Sequence, residues 1–169
     1  NDLKLKEIIE FLETKSFKLD FKAENIKLND NYEEELNLGH SKIFNILANK
    51  SPFILSASDD NFIYTHCNIS KSDTMNVSNP TGRNILFGGR SAAMGGIVNG
   101  LASLGFKVFI STPLINSNIL RQSIKFSAAN NLAVHYIFTQ DTFTNTYENY
   151  GYSCVDEINS LRLIPNLIN

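Results

Sequence analysis

Four short, largely apolar runs separated by stretches of helical length constrain this chain more than any other feature. They are Phe53-Ile54-Leu55, Asn84-Ile85-Leu86-Phe87, Lys107-Val108-Phe109-Ile110 and Ala133-Val134-His135-Tyr136-Ile137-Phe138. Each has the length and β-branched or aromatic content of a buried strand. Helices are predicted between and around them: about 41–48, capped by Ser41; about 91–104; 114–130, with Leu114, Ile115, Ile119, Ile124 and Phe126 as apolar contacts; and about 155–163. This alternation predicts an α/β domain, a parallel sheet flanked by helices on both faces. Ligands of such sheets sit beyond the carboxyl ends of the strands. Here those ends lead into Ser56 to Asp60, Gly88 to Ser91, Ser111 to Asn116 and Thr139 to Asn149.

The second strand runs into Gly88-Gly89-Arg90 and then into a helix of small residues: Ala92, Ala93, Gly95, Gly96, Gly100 and Ala102. Gly inside a helix costs roughly 1 kcal/mol relative to Ala. A helix of this composition is therefore expected to be central, with a close neighbour using the space. The Gly pair reads as a tight strand-to-helix turn, because a phosphate cradle needs a P-loop or GxGxxG spacing that this stretch lacks. Arg90 is expected in a salt bridge, within the domain or across a subunit contact. Upstream, Leu3, Leu5, Ile8, Ile9, Phe11 and Leu12 predict a helix over 3–14. Residues 15–38 are polar and acidic without a clear period. The predicted organisation is an N-terminal helix and linker or strap over 1–38, then a compact domain over 39–169. Residues 58–82 predict a long loop, of a kind that often carries function or partner contacts.

The formal net charge is −2, which leaves no basic field for nucleic acid or an anionic membrane. No apolar run approaches the roughly 18 residues a membrane span needs. The opening Asn1-Asp2-Leu3-Lys4 has neither an initiator Met nor a signal-peptide pattern, which predicts a cytoplasmic piece of a longer chain. Cys67 and Cys154 lack CxxC spacing and are expected as buried thiols rather than a metal site or a disulfide. His66 beside Cys67 lacks further metal ligands. His135, inside an apolar run, reads as a structural histidine. No nucleophile elbow surrounds Ser91, so Ser91, Asp141 and His135 do not read as a hydrolase triad. Tyr147, Tyr150 and Tyr152 crowd one loop, either an interface surface of the type rich in Tyr or a loop folded back on its own domain.

From Gly82 to Gly95 the chain reads Gly-Arg-Asn-Ile-Leu-Phe-Gly-Gly-Arg-Ser-Ala-Ala-Met-Gly. Asn99-Gly100-Leu101-Ala102 and Gly105 follow, then Phe138-Thr139 with Asp141, and finally Ser160-Leu161-Arg162-Leu163-Ile164-Pro165-Asn166-Leu167. These motifs resemble the transketolase family, whose pattern is Gly-Arg, a short strand, and Gly-x-Arg-Glu-His-Ala-Met-Gly opening a helix. The resemblance implies the fold of that family's central, pyrimidine-binding domain, a thiamine-diphosphate-binding fold. It implies thiamine diphosphate and Mg as the family's cofactors, and transfer of two-carbon ketol units between sugar phosphates. It also implies a diphosphate-binding domain or a second subunit as partner, with a homodimer among the assemblies.

The same resemblance places the family's catalytic Glu, which hydrogen-bonds the aminopyrimidine ring, at Ser91, and the following His at Ala92. A Ser hydroxyl cannot exchange a proton with a ring nitrogen at neutral pH as a carboxyl can. The three aromatic walls of the ring fall on Pro113, Asn116 and Ile119, which offer no stacking surface. The His after Phe-Thr is Gln140, the Asp and His of the next loop are Glu148 and Tyr152, and the phosphate-gripping Arg falls near Asn37. The family's Gly-Ser-Ala-Asp loop is loosely echoed by Ser56-Ala57-Ser58-Asp59, in a register the sequence does not fix. Scaffold positions are kept while chemistry positions change together. This predicts a degenerate domain: a vestigial cofactor pocket at Ser91, Pro113, Asn116 and Ile119, vestigial substrate positions Gln140, Glu148 and Tyr152, no cofactor or metal of its own, and an assembly role. Two other readings stay open. One is a working transketolase-type enzyme once joined to its diphosphate-binding domain, with Glu148 or Asp141 as a substitute acid. The other is a small-metabolite sensor using Asn116 and Gln140.

Overall fold

The computed structural model describes residues 2–17, 36–59, 66–139 and 154–168. Helices α1 (Asp2–Thr14) and α2 (Leu36–Lys50) come first. They are followed by β1 (Ile54–Ser58), β2 (Asn84–Leu86), α3 (Ser91–Ser103), β3 (Lys107–Pro113), α4 (Ser117–Ala129), β4 (Val134–Thr139) and α5 (Glu157–Arg162). A 3-10 turn, Leu114–Asn116, joins β3 to α4. The strands form one all-parallel sheet in the order β2-β1-β3-β4.

Alternation along the central strands divides the core in two. Leu55 and Ala57 of β1 and Val108 and Ile110 of β3 share one core with Met94 and Val98 of α3 and Leu120 and Ile124 of α4. Ile54 of β1 and Phe109 of β3 belong to a second core with Phe44 and Ala48 of α2, Cys67 and Ile69. Successive strand residues point to opposite faces, so the two cores are the two faces of the sheet, each covered by helix. Burying one such large apolar side chain contributes about 1.5–3 kcal/mol.

The central strands run further than their apolar runs predict. β1 continues through Ser58, where the sequence suggests a loop from Ser56 onward. Hydroxyl side chains fit this fully buried strand because each finds a carbonyl. Ser56 Oγ donates to Cys67 O, and Ser58 Oγ donates to Ser111 O at 3.0 Å. β3 likewise extends through Ser111 and Thr112 to Pro113. The helix expected from Leu114 begins at Ser117, after the 3-10 turn. α2 begins at Leu36, so Ser41, expected as its cap, and Gly39, the expected domain start, both lie inside it.

The Gly82-Arg83 pair has a structural role. A Cβ on Gly82 would lie 2.6 Å from Met75 N. Arg83 Nη1 donates to Ala48 O at 2.8 Å and Ser51 O at 2.9 Å, bracing the end of α2 against the sheet.

Helix α3 has the close neighbour its composition predicts, on the side that faces α4. At Gly95 an added Cβ would lie 2.5 Å from Ser123 Oγ of α4. Ala92, Ala93, Gly96, Ile97 and Gly100 are exposed, and among the described residues nothing lies within 4 Å of a Cβ added at Gly96 or Gly100.

Helix α1 docks through Phe11, whose ring stacks on Phe53 with centroids 3.8 Å apart and meets Phe106 at 5.0 Å. Most of the predicted linker, residues 18–35, lies outside the described residues.

Candidate functional site

Four polar side chains meet in the interior at the carboxyl ends of β1 and β3. Asp59 follows β1 directly. Thr112 lies on β3, one position past the Ser58–Ser111 pairing. Ser91 opens α3, and Asn116 closes the 3-10 turn. All four are buried.

They converge on a single oxygen. Asp59 Oδ2 accepts from Ser91 Oγ at 2.5 Å, Thr112 Oγ1 at 2.8 Å and Asn116 Nδ2 at 3.0 Å. Asn116 Nδ2 also donates to Thr112 Oγ1 at 3.0 Å. Hydrogen bonds to a charged group contribute about 1.5–3 kcal/mol each. Asp59 Oδ1 has no partner among the described residues and is itself buried.

The turn before α3 sets this geometry. Gly88 and Gly89 take φ of +56° and +61°, the left-handed region that side chains disfavour. They turn the chain from β2 into α3, and Gly89 N donates to Asp59 O at 2.8 Å. Arg90 folds back on the turn. Its Nη1 donates to Phe87 O at 2.9 Å and Gly88 O at 3.0 Å. The bent turn leaves these two carbonyls within reach of the guanidinium, and among the described residues no acid pairs with it.

The structure therefore brings together Ser91 and Asn116 of the positions singled out in the sequence. Pro113 is buried at the end of β3, while Ile119 is 52% exposed on α4, so these three positions build no flat wall. Gln140, Asp141, Glu148 and Tyr152, with the rest of the Tyr147–Tyr152 loop, lie outside the described residues, as does the side chain of Asn37. Sequence reasoning left Asp59 unassigned and missed Thr112. The signal was alternation: Leu55, Ala57 and Asp59 share one face of β1, as Val108, Ile110 and Thr112 share one face of β3.

The remaining candidates are structural. Burial pushes the Cys67 thiol up to about 12, so it stays protonated and unreactive. Among the described residues no group of three or more His, Cys, Asp or Glu could hold a metal ion. His135 is exposed on edge strand β4, where its ring stacks on Phe109 at 4.5 Å. Partial burial holds it below the ordinary histidine value, with Lys107 and His40 adding repulsion. Among the described residues no helix is long and apolar enough to cross a membrane.

No protein-family profile matches the chain. Similar proteins include the transketolase of Physarum polycephalum, 38% identical over 128 residues, which are 75% of this chain and 19% of that protein. The transketolase of Dictyostelium discoideum is 37% identical over 128 residues with the same coverage. That of Bacillus subtilis is 33% identical over 127 residues, 75% of this chain and 19% of the relative. The chain thus spans about a fifth of the length of the curated relatives it matches. Among solved structures, transketolase from Campylobacter jejuni superposes with a TM-score of 0.74 at 26% identity, covering 95% of this chain and 24% of that one. Transketolase from Leishmania mexicana, at 24% identity over 75% of this chain and 19% of its own, shares the fold with a TM-score of 0.68.

Proposed function

This chain belongs to the transketolase family, and from that premise we propose that it is the central, pyrimidine-binding domain of a transketolase-like assembly, kept for its scaffold and without cofactor chemistry of its own. The observation that carries this reading is the Ser91 hydroxyl. It stands where the resemblance puts the family's acid, and its proton is already donated to buried Asp59.

Thiamine diphosphate and Mg do not fit the residues present. An aminopyrimidine ring requires a proton-exchanging carboxyl and flat apolar walls. The first position holds a hydroxyl tied to Asp59. The walls hold a proline, an amide bound to Asp59 and Thr112, and a half-exposed isoleucine. The remaining oxygen of Asp59 is sealed from solvent. The proposed partner is a diphosphate-binding domain, from the same parent chain or a second subunit, working in the cytoplasm. The net charge of −2 argues against nucleic acid or an anionic membrane as partner. Titration calorimetry of the full-length protein with thiamine diphosphate and Mg²⁺ tests the reading. No saturable heat is expected, and saturable binding overturns it.

A second reading draws on Asp59 itself. Its carboxylate lies one hydrogen bond from Ser91, so a parent chain that transfers two-carbon ketol units would have this acid nearest the altered position. Ketol transfer by the full-length protein, abolished in a folded Asp59→Asn variant, would favour that reading. The sensor reading draws less support, because the Asn116 amide is already bound to Asp59 and Thr112.

A further inference from the structure

Helix α1 meets the domain through the side that carries Phe11. That residue is 3% exposed, with its ring against Phe53 and Phe106, which lead into β1 and β3. Glu7, one turn earlier on the same side, lines a cleft with Phe11, Pro52 and Phe53. Leu5, Ile8, Ile9 and Leu12 fall on the adjoining side. They stand at i, i+3, i+4 and i+7, and at roughly 100° per residue they fill an arc of about 100°. Spacing of this kind marks the face that a helix buries. Yet they are 57%, 46%, 47% and 68% exposed. Since Phe53 and Phe106 precede their strands, α1 sits at the amino end of the sheet. Asp59 and its cluster lie at the other end.

We propose that this stripe of α1 is a docking surface and that its occupant is an amphipathic helix of the same parent polypeptide, outside these 169 residues. Size selects a tethered occupant. The stripe matches the largest apolar patches on monomers, roughly 300–600 Å², and falls short of the ~800 Å² per partner that free proteins bury in a standard interface. A helix in the same polypeptide needs less area, because it faces the stripe at an effective concentration of about mM and loses little translational freedom on docking. The chain spans about a fifth of the length of the curated relatives it matches, which leaves most of such a polypeptide to supply it. Charge then describes the occupant. Helix α1 holds four acids, Asp2, Glu7, Glu10 and Glu13, against Lys4 and Lys6, a net of −2, which disfavours an anionic membrane. Lys6 and Glu13 are exposed along the border of the stripe away from Phe11, Lys6 toward its start and Glu13 toward its end. The docked helix therefore places an acid opposite Lys6 and a base opposite Glu13.

This assignment rests on the proposed membership of a longer transketolase-like polypeptide. It does not involve the strand-end cluster, so thiamine diphosphate binding leaves it standing and the two readings fail separately. Photo-cross-linking of the full-length protein tests it, with p-benzoylphenylalanine at Leu5 or Leu12, and at Glu10 on the polar side as the control. Irradiation is expected to give a product of monomer mass on a denaturing gel. Peptide mapping should join Leu5 and Leu12 to one helical segment outside the 169 residues, at a yield about tenfold above that from Glu10. Cross-links to a second copy, to another protein, to lipid or within the 169 residues overturn the proposal, as does a yield no higher than that from Glu10. If the bulky probe disturbs the fold, maleimide labelling of Leu5→Cys and Lys6→Cys decides the matter. Leu5→Cys should react about tenfold more slowly or less, and equal rates overturn the proposal.

Discussion

Asp59 shows how much one buried oxygen can organise. Through Oδ2 it ties the end of β1 to β3, to the first residue of α3 and to the turn entering α4. Removing it leaves two hydroxyls and an amide without their acceptor, each a desolvation cost of about 1–3 kcal/mol. Asp59→Ala is therefore expected to destabilise the fold by about 2–4 kcal/mol, and Ser91→Ala by about 1 kcal/mol, as read by urea denaturation. A value for Asp59→Ala within about 0.5 kcal/mol of wild type would mean that the cluster contributes little. At this scale the sequence was half legible. Ser91 and Asn116 stand out because the family resemblance implies what they would replace. Thr112 does not, since a threonine at a strand end looks like any other until the neighbouring strand sets its register. Asp59 was visible as a residue but not as a hub, because its three donors come from 32, 53 and 57 residues away in sequence.

Elements respond to adjacent residues in opposite ways. Gly95 faces α4, with Ser123 Oγ 2.5 Å and Leu120 Cδ2 2.9 Å from an added Cβ, whereas Gly96 faces open space. Gly95→Ala is expected to destabilise by about 1–3 kcal/mol through overpacking. Gly96→Ala is expected to stabilise the fold by up to about 1 kcal/mol through helix propensity. Thermal melts at low concentration would separate the two, and equal effects would contradict this packing. A glycine-rich string cannot reveal in sequence which of its glycines touches a neighbour; only the helical phase against α4 does. The contact of α2 with the sheet adds a pH dependence. His40 and His135 both approach the Phe109 ring, and burial holds both below the ordinary value of 6.5. The folded state thus favours neutral imidazoles. Their contribution is complete above the unfolded value and is lost as pH falls through the lower folded values. The melting temperature should drop on acidification below about pH 6.5, and a His40→Phe/His135→Phe double variant should flatten that part of the profile. An unchanged profile would place the titrating groups elsewhere.

For the whole molecule, the N-terminal helix is joined to the domain at Phe11 and by a close backbone approach just past its end. Gly105 has φ +99°, and its missing Cβ leaves room for Lys15 O, which would otherwise lie 2.4 Å away. Gly105→Ala should weaken the seat of Phe11 on Phe53 and Phe106, costing about 2 kcal/mol or more. It should also speed proteolysis within α1, and a cleavage rate equal to wild type would contradict that. The α/β class was legible from four strand runs and their spacing, because strand and helix periods are local properties. The strand order was not, because pairing is set by contacts distant along the chain.

That order has a consequence for synthesis. β1 lies between β2 and β3, and both neighbours are translated after it. While the chain emerges from the ribosome, β1 has both edges unpaired until β2 appears, and one edge stays open until the chain has grown through Pro113. A nascent apolar strand in that condition is a template for mispairing with other chains. Completion of β3 is the moment at which β1 is paired on both edges.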